Sequence, residues 1–279
     1  KHYFLKEANE QPELLERLVL NSNGEIKNLA NQIKSAFGTF MLGCGSAANA
    51  GLFGTYVFST VAKKHVNFSV GSEFKYLEEY ITPKTLIIPI SQSGESVDVI
   101  EPVMRAKEKG TKIAAIVNSL GSTLYREADS KVLLGVGPEK CVIATKSLIA
   151  MLAVLLLTAY SLVGREESGK NLLIRSAKNI RKILGAEYKK KIEKVVEDLR
   201  DKEHIYILGK GLSYATALEA ALKIKETTYV HAEGFAGGEL KHGVIALIDK
   251  GTPCIIIAPN DETYDDIISN AQEVKARGG

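Results

Sequence analysis

Two segments of this 279-residue chain share one pattern, and the second follows the first at a nearly constant distance. MLGCGSAANAGLF begins at Met41, and ILGKGLSYATALE begins at Ile207. Each has an apolar run, then Gly-x-Gly, then small residues that lead into an alanine-rich stretch. AKEKG resembles VKARG and TLIIPIS resembles TPCIIIAP, so that all these separations are 166 to 168 residues. A repeat at this spacing predicts that one α/β unit is used twice.

Strand and helix patterns alternate along each repeat. The strands are short apolar runs rich in Ile and Val, such as TLIIPIS and KIAAIVN, without polar alternation. This is typical of parallel strands that helices cover on both faces. We predict two tandem doubly wound α/β domains with parallel sheets and flavodoxin-like α/β/α layers, at residues 1–165 and 166–279, with ligands beyond the carboxyl ends of the strands. The second sheet is expected to lack at least a final strand, because no counterpart of KIAAIVN follows VKARG.

Composition and charge argue against several classes of function. The formal net charge of +3 is too small to indicate nucleic-acid binding. The apolar stretch LIAMLAVLLLTAYSLV, from Leu148, is shorter than the roughly 20 residues of a membrane span, so it predicts a buried core helix. Cys44, Cys141 and Cys254 are widely separated and odd in number. They predict neither a disulfide framework nor a zinc site, and they favour a reducing, cytoplasmic location.

The stretch SQSGES joins a predicted strand to a predicted helix. A helix N-terminus presents unpaired N–H groups and a positive dipole end, which suit a phosphate. Ser91, Ser93 and Ser96 add hydroxyls and Gln92 adds an amide, while Gly94 lets the backbone approach a ligand. The alternative is that Ser96 only caps its helix and that the rest is an ordinary turn.

The stretch GCGSAANA has the same strand–turn–helix pattern and places Ser46 at the turn. It lacks the third glycine of a dinucleotide-binding fingerprint, so a Rossmann cofactor is not expected. If the two loops end neighbouring parallel strands, they can together hold one phosphorylated sugar.

A third group of polar residues lies between Ala217 and Gly243. Glu219, Lys223 and Glu226 recur at i, i+4 and i+7, on one face of a predicted helix, and the histidines His231 and His242 follow. A carboxylate beside a lysine and near a histidine can move protons. The alternative is a solvent-facing ion pair with structural histidines.

Together, KHYFLKEANEQPE, GCGS, SEFKY, SQSGES, the GPE…ATK segment, LKIKE and HAEGFAGGELKHG resemble the glucosamine-6-phosphate synthase family. The similarity is to its sugar-isomerase half, which consists of two sugar-isomerase (SIS) domains, and it covers essentially the whole chain. The SQSGE loop alone marks only the broad SIS superfamily. The HAE…GELKHG and NDE…EVKARGG runs are much more specific to the synthase.

The resemblance implies an activity and a set of site residues. The activity is conversion of fructose 6-phosphate and ammonia to glucosamine 6-phosphate in amino-sugar biosynthesis, without a metal or an organic cofactor. The residues implied to hold the phosphate are Ser46, Ser91, Gln92, Ser93 and Ser96, with a main-chain contact from Val142 to the sugar. Glu226 matches the base that moves a proton between C1 and C2, and Lys223 matches a lysine near the sugar. His242 matches the ring-opening histidine, which the neighbouring subunit of a homodimer supplies.

Two alternatives stay open beside this reading. One is a related SIS enzyme, such as a glucosamine-6-phosphate deaminase or a deglycase acting on a sugar-amine phosphate. The other is a non-enzymatic sugar-phosphate sensor, against which Glu226 and His242 argue, because a sensor needs no proton transfer. The family's glutaminase half and C-terminal tail are not in this sequence. The resemblance therefore implies at most ammonia-dependent synthesis or isomerisation.

Overall fold

The computed structural model describes residues 2–21 and 23–279, which divide into two compact units at residues 185 and 186. The first unit extends to residue 185, beyond the domain boundary that the sequence predicted after residue 165. The reason is helix α7 (Glu166–Ile183), which packs against the N-terminal helix and against the helix that precedes it. This helix therefore belongs to the first compact unit.

Five parallel strands form the sheet of the first unit. They are β1 (Gly38–Gly43), β2 (Asn67–Val70), β3 (Thr85–Ser91), β4 (Lys112–Val117) and β5 (Ser130–Leu133). Their order is β2-β1-β3-β4-β5, with parallel pairing throughout. This is the flavodoxin-like order, which confirms the predicted fold class. All seven residues of β3 are buried, as the continuous apolar run indicated.

Helices cover both faces of this sheet. They are α1 (Tyr3–Asn21), α2 (Asn23–Ser35), α3 (Ser46–Ala62), α4 (Val97–Glu108), α5 (Thr123–Glu127), α6 (Lys146–Leu162) and α7. One core lies under α1, α2, α3 and α6, and a second lies under α4 and α5. The apolar stretch from Leu148 is the buried helix α6, as predicted. In the described part of the chain, no helix has the length and apolarity needed to cross a bilayer.

The second unit repeats part of the first. Its elements are α8 (Ala186–Leu199), β6 (His204–Gly209), α9 (Leu212–Thr228), β7 (His231–Ala236), β8 (Cys254–Ile256) and α10 (Tyr264–Ala276). The parallel order β7-β6-β8 corresponds to β2-β1-β3, so the repeat seen in the sequence is also a repeat of topology. This sheet has three strands where the first has five, in line with the expected shorter second sheet.

The structural repeat extends beyond the sequence pattern. The stretch SEFKYLEE, from Ser72, lies in two 3₁₀ segments, Gly71–Tyr76 and Glu78–Tyr80. The counterpart of the first in the second unit is the 3₁₀ segment Gly237–His242, again 166 residues later. Helices α3 and α9 both end at a left-handed non-glycine residue, Lys63 (φ 52°) and Tyr229 (φ 60°). The pair SEFKY and GELKH was not recognised in the sequence, because only Glu and Lys are identical.

Candidate functional site

The loop at residues 91–96 leads from the carboxyl end of β3 into α4. Its own hydroxyls shape it: Ser91 Oγ accepts the N–H of Gly94 at 2.9 Å, and Ser93 Oγ accepts that of Glu95 at 3.1 Å. Gly94 has φ +70°, and a Cβ there would collide with the side chain of Ser122. Only glycine fits this position without strain, so the sharp turn is a property of the sequence.

Ser96 is the N-cap residue of α4, but its side chain makes no capping hydrogen bond. Its Oγ lies 3.5 Å from Oγ of Ser91. Ser122, in contrast, caps α5 by accepting the N–H of Tyr125 at 3.4 Å. The helix therefore does not consume the Ser96 hydroxyl, and the simple capping explanation raised by the sequence is not what the structure shows.

A second turn ends the neighbouring strand β1. Gly45 (φ 56°) is the N-cap of α3, and Ser46 is the first residue of that helix. A Cβ on Gly43 would come within 2.7 Å of the main chain at Ala47, so strand and helix approach closely here. Because β1 and β3 are adjacent and parallel, Ser46 and the 91–96 loop lie at the same edge of the sheet.

Asn118 joins the 91–96 loop to the loop that carries Val142. Its N–H donates to the carbonyl of Gln92 at 3.3 Å. Its side chain accepts the N–H of Val136 and donates to the carbonyl of Gly137, both at 3.0 Å. Asn118 is not among the predicted site residues, although a polar residue directly after the apolar strand KIAAIV is a usable signal.

Val142 belongs to the β5–α6 loop, residues 134–145, and it is 94% exposed. The loop ends where Glu139 accepts the N–H groups of Thr145 at 2.9 Å and Ser147 at 3.1 Å, together with the Ser147 hydroxyl at 2.6 Å. Burial by itself would raise the pKa of Glu139. The hydrogen bonds from Ser147 and Thr145 together outweigh it, so the pKa is lowered.

In the second unit, α9 brings the predicted carboxylate–lysine group together. Lys223 Nζ lies 2.6 Å from Glu226 Oε2 and 3.4 Å from Glu219 Oε1. These side chains are partly buried, with exposed fractions of 21% for Lys223, 34% for Glu226 and 12% for Glu219. The group is thus an ion-paired cluster that remains accessible to a ligand at Glu226.

The sheet of the second unit separates Glu226 from His242. Helix α9 packs on the face that includes Ile205 and Ile207, whereas the 3₁₀ segment Gly237–His242 packs on the other face through Leu240. His242 is exposed. Within one copy of this unit, the structure therefore does not bring the two predicted proton-transfer groups together.

His231 lies at the amino end of β7, at the edge opposite to the one where ligands were expected. Its Nδ1 is 3.2 Å from Nδ1 of His204, the residue beside it on β6, and both rings are exposed. In the chain outside residues 1 and 22, no three His, Cys, Asp or Glu side chains form a group that could hold a metal ion.

The second unit has no equivalent of the 91–96 loop in chemistry. The register of β8 with β6 places Asp261 where Gly94 stands in the first unit. Asp261 accepts both the N–H and the hydroxyl of Thr263, at 2.9 and 2.6 Å, and these bonds lower its pKa. A carboxylate of the chain itself thus accepts both donors of Thr263, the N-cap residue of α10.

Comparisons with known proteins agree with this architecture. The SIS domain family matches residues 33–161 and 198–279. The glutamine–fructose-6-phosphate aminotransferases (isomerizing) of Rhizobium meliloti and Aquifex aeolicus are 40% and 37% identical, over 295 and 281 residues. These matches include 100% of this chain but 48% and 47% of the relatives, so the chain spans about half the length of the curated relatives it matches.

Solved structures give the same result. The C-terminal domain of glucosamine-fructose-6-phosphate aminotransferase from Francisella tularensis has a TM-score of 0.88 and 35% identity, over 100% of this chain and 82% of that one. Glucosamine-6-phosphate deaminase from Thermotoga maritima has a TM-score of 0.81 at 24% identity, covering 99% of this chain and 82% of that one, and this likeness shows the fold alone. The chain therefore belongs to the SIS domain family, in the group that includes the C-terminal domain of glucosamine-fructose-6-phosphate aminotransferase.

Proposed function

We propose that this chain is the sugar-isomerase half of an enzyme that combines fructose 6-phosphate with ammonia, giving glucosamine 6-phosphate and water. The observation that carries the proposal is the 91–96 loop, whose Ser96 hydroxyl stands at a helix N-terminus without capping it. The names of its relatives at 35% to 40% identity support the same reaction. A reducing, cytoplasmic setting is part of the proposal and agrees with the three free cysteines.

The phosphate end of the site consists of hydroxyls and main-chain amides at one edge of the first sheet. The residues proposed to hold the phosphate are Ser46, Ser91, Gln92, Ser93 and Ser96. The N-termini of α3 and α4 add their dipoles at this edge. Binding energy from the phosphate, remote from the reacting carbons, orients the sugar for the chemical steps.

The proton transfers belong to the second unit. Fructose 6-phosphate must open its ring before ammonia adds to the C2 ketone, and the resulting imine makes a C1 proton more acidic. Glu226 is proposed to take this proton from C1 and return it at C2, so that the ketose imine becomes the aldose amine. Lys223, 2.6 Å away, orients the carboxylate and lies near the sugar.

His242 is proposed to open the sugar ring from a second copy of the chain. This is supported by its position on the other face of the sheet from α9, which keeps it away from Glu226 in its own unit. Two-fold symmetric homodimers are the commonest oligomers, and in such a dimer each subunit can supply a residue to the site of the other. The nitrogen donor is ammonia here, and the glutaminase half of longer relatives would be its source.

The decisive experiment measures glucosamine 6-phosphate formed from fructose 6-phosphate and ammonium, with sugar binding measured in parallel. Glu226→Gln should abolish turnover and keep sugar affinity. Glu193→Gln is the matched control, because it also removes an exposed helix carboxylate that pairs with a lysine. Full turnover by Glu226→Gln contradicts the assignment of the base. Sugar binding without turnover in the unmodified chain points to a sensor, and net release of ammonia from glucosamine 6-phosphate points to a deaminase.

A second experiment tests the phosphate loop. Ser96→Ala should weaken phosphate-ester binding and leave stability nearly unchanged, because the hydroxyl makes no cap. Ser122→Ala should instead leave phosphate-ester binding unchanged. It should lower stability by about 1 kcal/mol, since it removes the hydroxyl that caps α5. Equal phosphate affinity in wild type and Ser96→Ala contradicts a role for this hydroxyl.

A further inference from the structure

A buried carboxylate on α1 holds the main chain of the β5–α6 loop. Glu7 is 3% exposed. Its Oε1 accepts the N–H of Lys140 at 2.7 Å and that of Cys141 at 3.0 Å, and its Oε2 accepts the hydroxyl of Thr145 at 2.6 Å. These partners lie 133 to 138 residues away in the chain, so the contact is purely tertiary.

Two further residues on the same face of α1 reach the ends of this loop. Glu10 Oε2 accepts Lys146 Nζ at 2.8 Å, and Lys146 also donates to the carbonyl of Pro138 at 3.1 Å. Gln11 Nε2 donates to the carbonyl of Thr145 at 3.3 Å. The Glu10 side chain is 37% exposed, so its ion pair with Lys146 is screened by solvent. The hydrogen bonds that the buried Glu7 accepts therefore stabilise the loop more strongly.

Glu7 binds the main-chain N–H groups of Lys140 and Cys141, the two residues immediately before Val142. Val142 is 94% exposed, so packing around this residue does not fix the loop there. Hydrogen bonds between a carboxylate and main-chain N–H groups contribute about 1.5–3 kcal/mol each, more than bonds between neutral groups. The direction of the main chain at Val142 is therefore set mainly by Glu7.

The phosphate loop has a separate support. Asn118 joins Gln92 to Val136 and Gly137, upstream of the residues that Glu7 binds. The turn at Gly94 is fixed by Ser91, within the loop itself. Loss of the Glu7 carboxylate should therefore disturb the segment at Val142 and leave the phosphate loop in place.

We propose that Glu7 is a positioning residue that presents the main chain at Val142 to the sugar, without touching the phosphate. This rests on the proposed function, in which the phosphate lies at residues 91–96, and on the main-chain contact from Val142 to the sugar that the family resemblance implies. The N-terminal helix then acts on substrate recognition through the loop, and it is more than a cover for the hydrophobic core.

The test compares two ligands in the full chain, fructose 6-phosphate and inorganic phosphate, by titration calorimetry. Glu7→Gln keeps the size of the side chain but turns an N–H donor towards the loop. We expect fructose 6-phosphate to bind about tenfold more weakly, as for the loss of one strong hydrogen bond, with phosphate affinity unchanged. Glu13→Gln, at an exposed position on the same helix, should bind both ligands like wild type.

A second variant covers the case in which Glu7→Gln does not fold. Thr145→Val removes the hydroxyl that lies 2.6 Å from Glu7 Oε2 and 2.8 Å from Glu139 Oε1, and it keeps both carboxylates. It should weaken fructose 6-phosphate binding in the same selective way, by a smaller factor. Unchanged fructose 6-phosphate affinity overturns the proposal. An equal loss for both ligands also overturns it, since that indicates general loosening. If wild type binds neither ligand, the proposed function itself fails.

Discussion

At the scale of single residues, the site depends on glycines and hydroxyls whose local geometry the sequence alone nearly defines. Gly94 at φ +70° allows Ser91 to accept its N–H and turns the chain into α4. The hydroxyl of Ser96 is different, because only the structure shows that it does not cap the helix. The glycine and hydroxyl residues between a strand and a helix predicted the 91–96 loop. The hydrogen bonds seen in the structure show which of its hydroxyls are available to a ligand.

Gly94→Ala should abolish most phosphate binding. An alanine at positive φ costs about 1–2 kcal/mol by itself, and here its Cβ also collides with Ser122. Gly121→Ala is the matched control, because Gly121 has φ +75° but nothing within 4 Å of the added Cβ. Urea unfolding should show a small loss for Gly121→Ala and a larger one for Gly94→Ala, with phosphate affinity reduced only in the latter. Wild-type phosphate affinity in Gly94→Ala contradicts this role of the turn.

At the scale of elements, the same helix–strand contact occurs in both units, but the glycine is on the helix in one unit and on the strand in the other. In the first unit, the helix residue Gly51 faces the ring of Phe68 on β2, with only 2.7 Å for an added Cβ. In the second unit, the strand residue Gly234 faces the main chain of Ala217 on α9, at 2.5 Å. Each pair is separated from its counterpart by 166 residues. One small residue per contact is required, but either element can provide it.

Gly234→Ala should therefore destabilise the second unit by about 2 kcal/mol, because α9 must move away from β7. Gly238→Ala should have little effect, since Gly238 has no atom within 4 Å of the added Cβ. Urea unfolding followed by circular dichroism measures both. Since α9 carries Lys223 and Glu226, turnover should fall with Gly234→Ala as well. Equal stability of the two variants contradicts the close approach.

The start of α6 should make the first unit sensitive to acid. The pKa of Glu139 is lowered from its ordinary 4.5 in the folded state, so the unfolded chain binds a proton first as the pH falls. The stabilisation by Glu139 is complete above about pH 4.5 and is lost as the pH falls through the lowered value. The gap in urea midpoint between wild type and Glu139→Gln should narrow below that pH. An exposed control, Glu79→Gln, should show no such narrowing, and a constant gap for Glu139→Gln contradicts the prediction.

At the scale of the whole molecule, the proposed proton transfers use two groups, Glu226 and His242, that one unit holds on opposite faces of its sheet. Glu226 lies on α9 and His242 lies at the end of a 3₁₀ segment, with β6 and β7 between them. The proposed solution is that a second copy supplies the histidine. In this proposal a complete site forms only in the dimer.

Mixing two inactive variants tests the shared site. Glu226→Gln and His242→Asn should each be inactive, because each removes one group from every site of its own homodimer. After subunit exchange, half of the dimers are mixed and each has one intact site, so about a quarter of wild-type turnover should return. Mixing either variant with itself is the control. No recovery in a mixture shown to contain mixed dimers contradicts sharing of His242.

The sequence by itself determined the two parallel α/β units, the strand–turn–helix loops and the ion-paired face of α9. These follow from periodicity, glycine turns and helical spacing, which act over a few residues. It could not show that SEFKYLEE forms 3₁₀ segments, that Asn118 and Glu7 support the loops, or that the sheet separates Glu226 from His242. Those features depend on contacts between segments up to 138 residues apart. Such contacts depend on how distant segments pack in three dimensions, and sequence patterns over a few residues do not predict them.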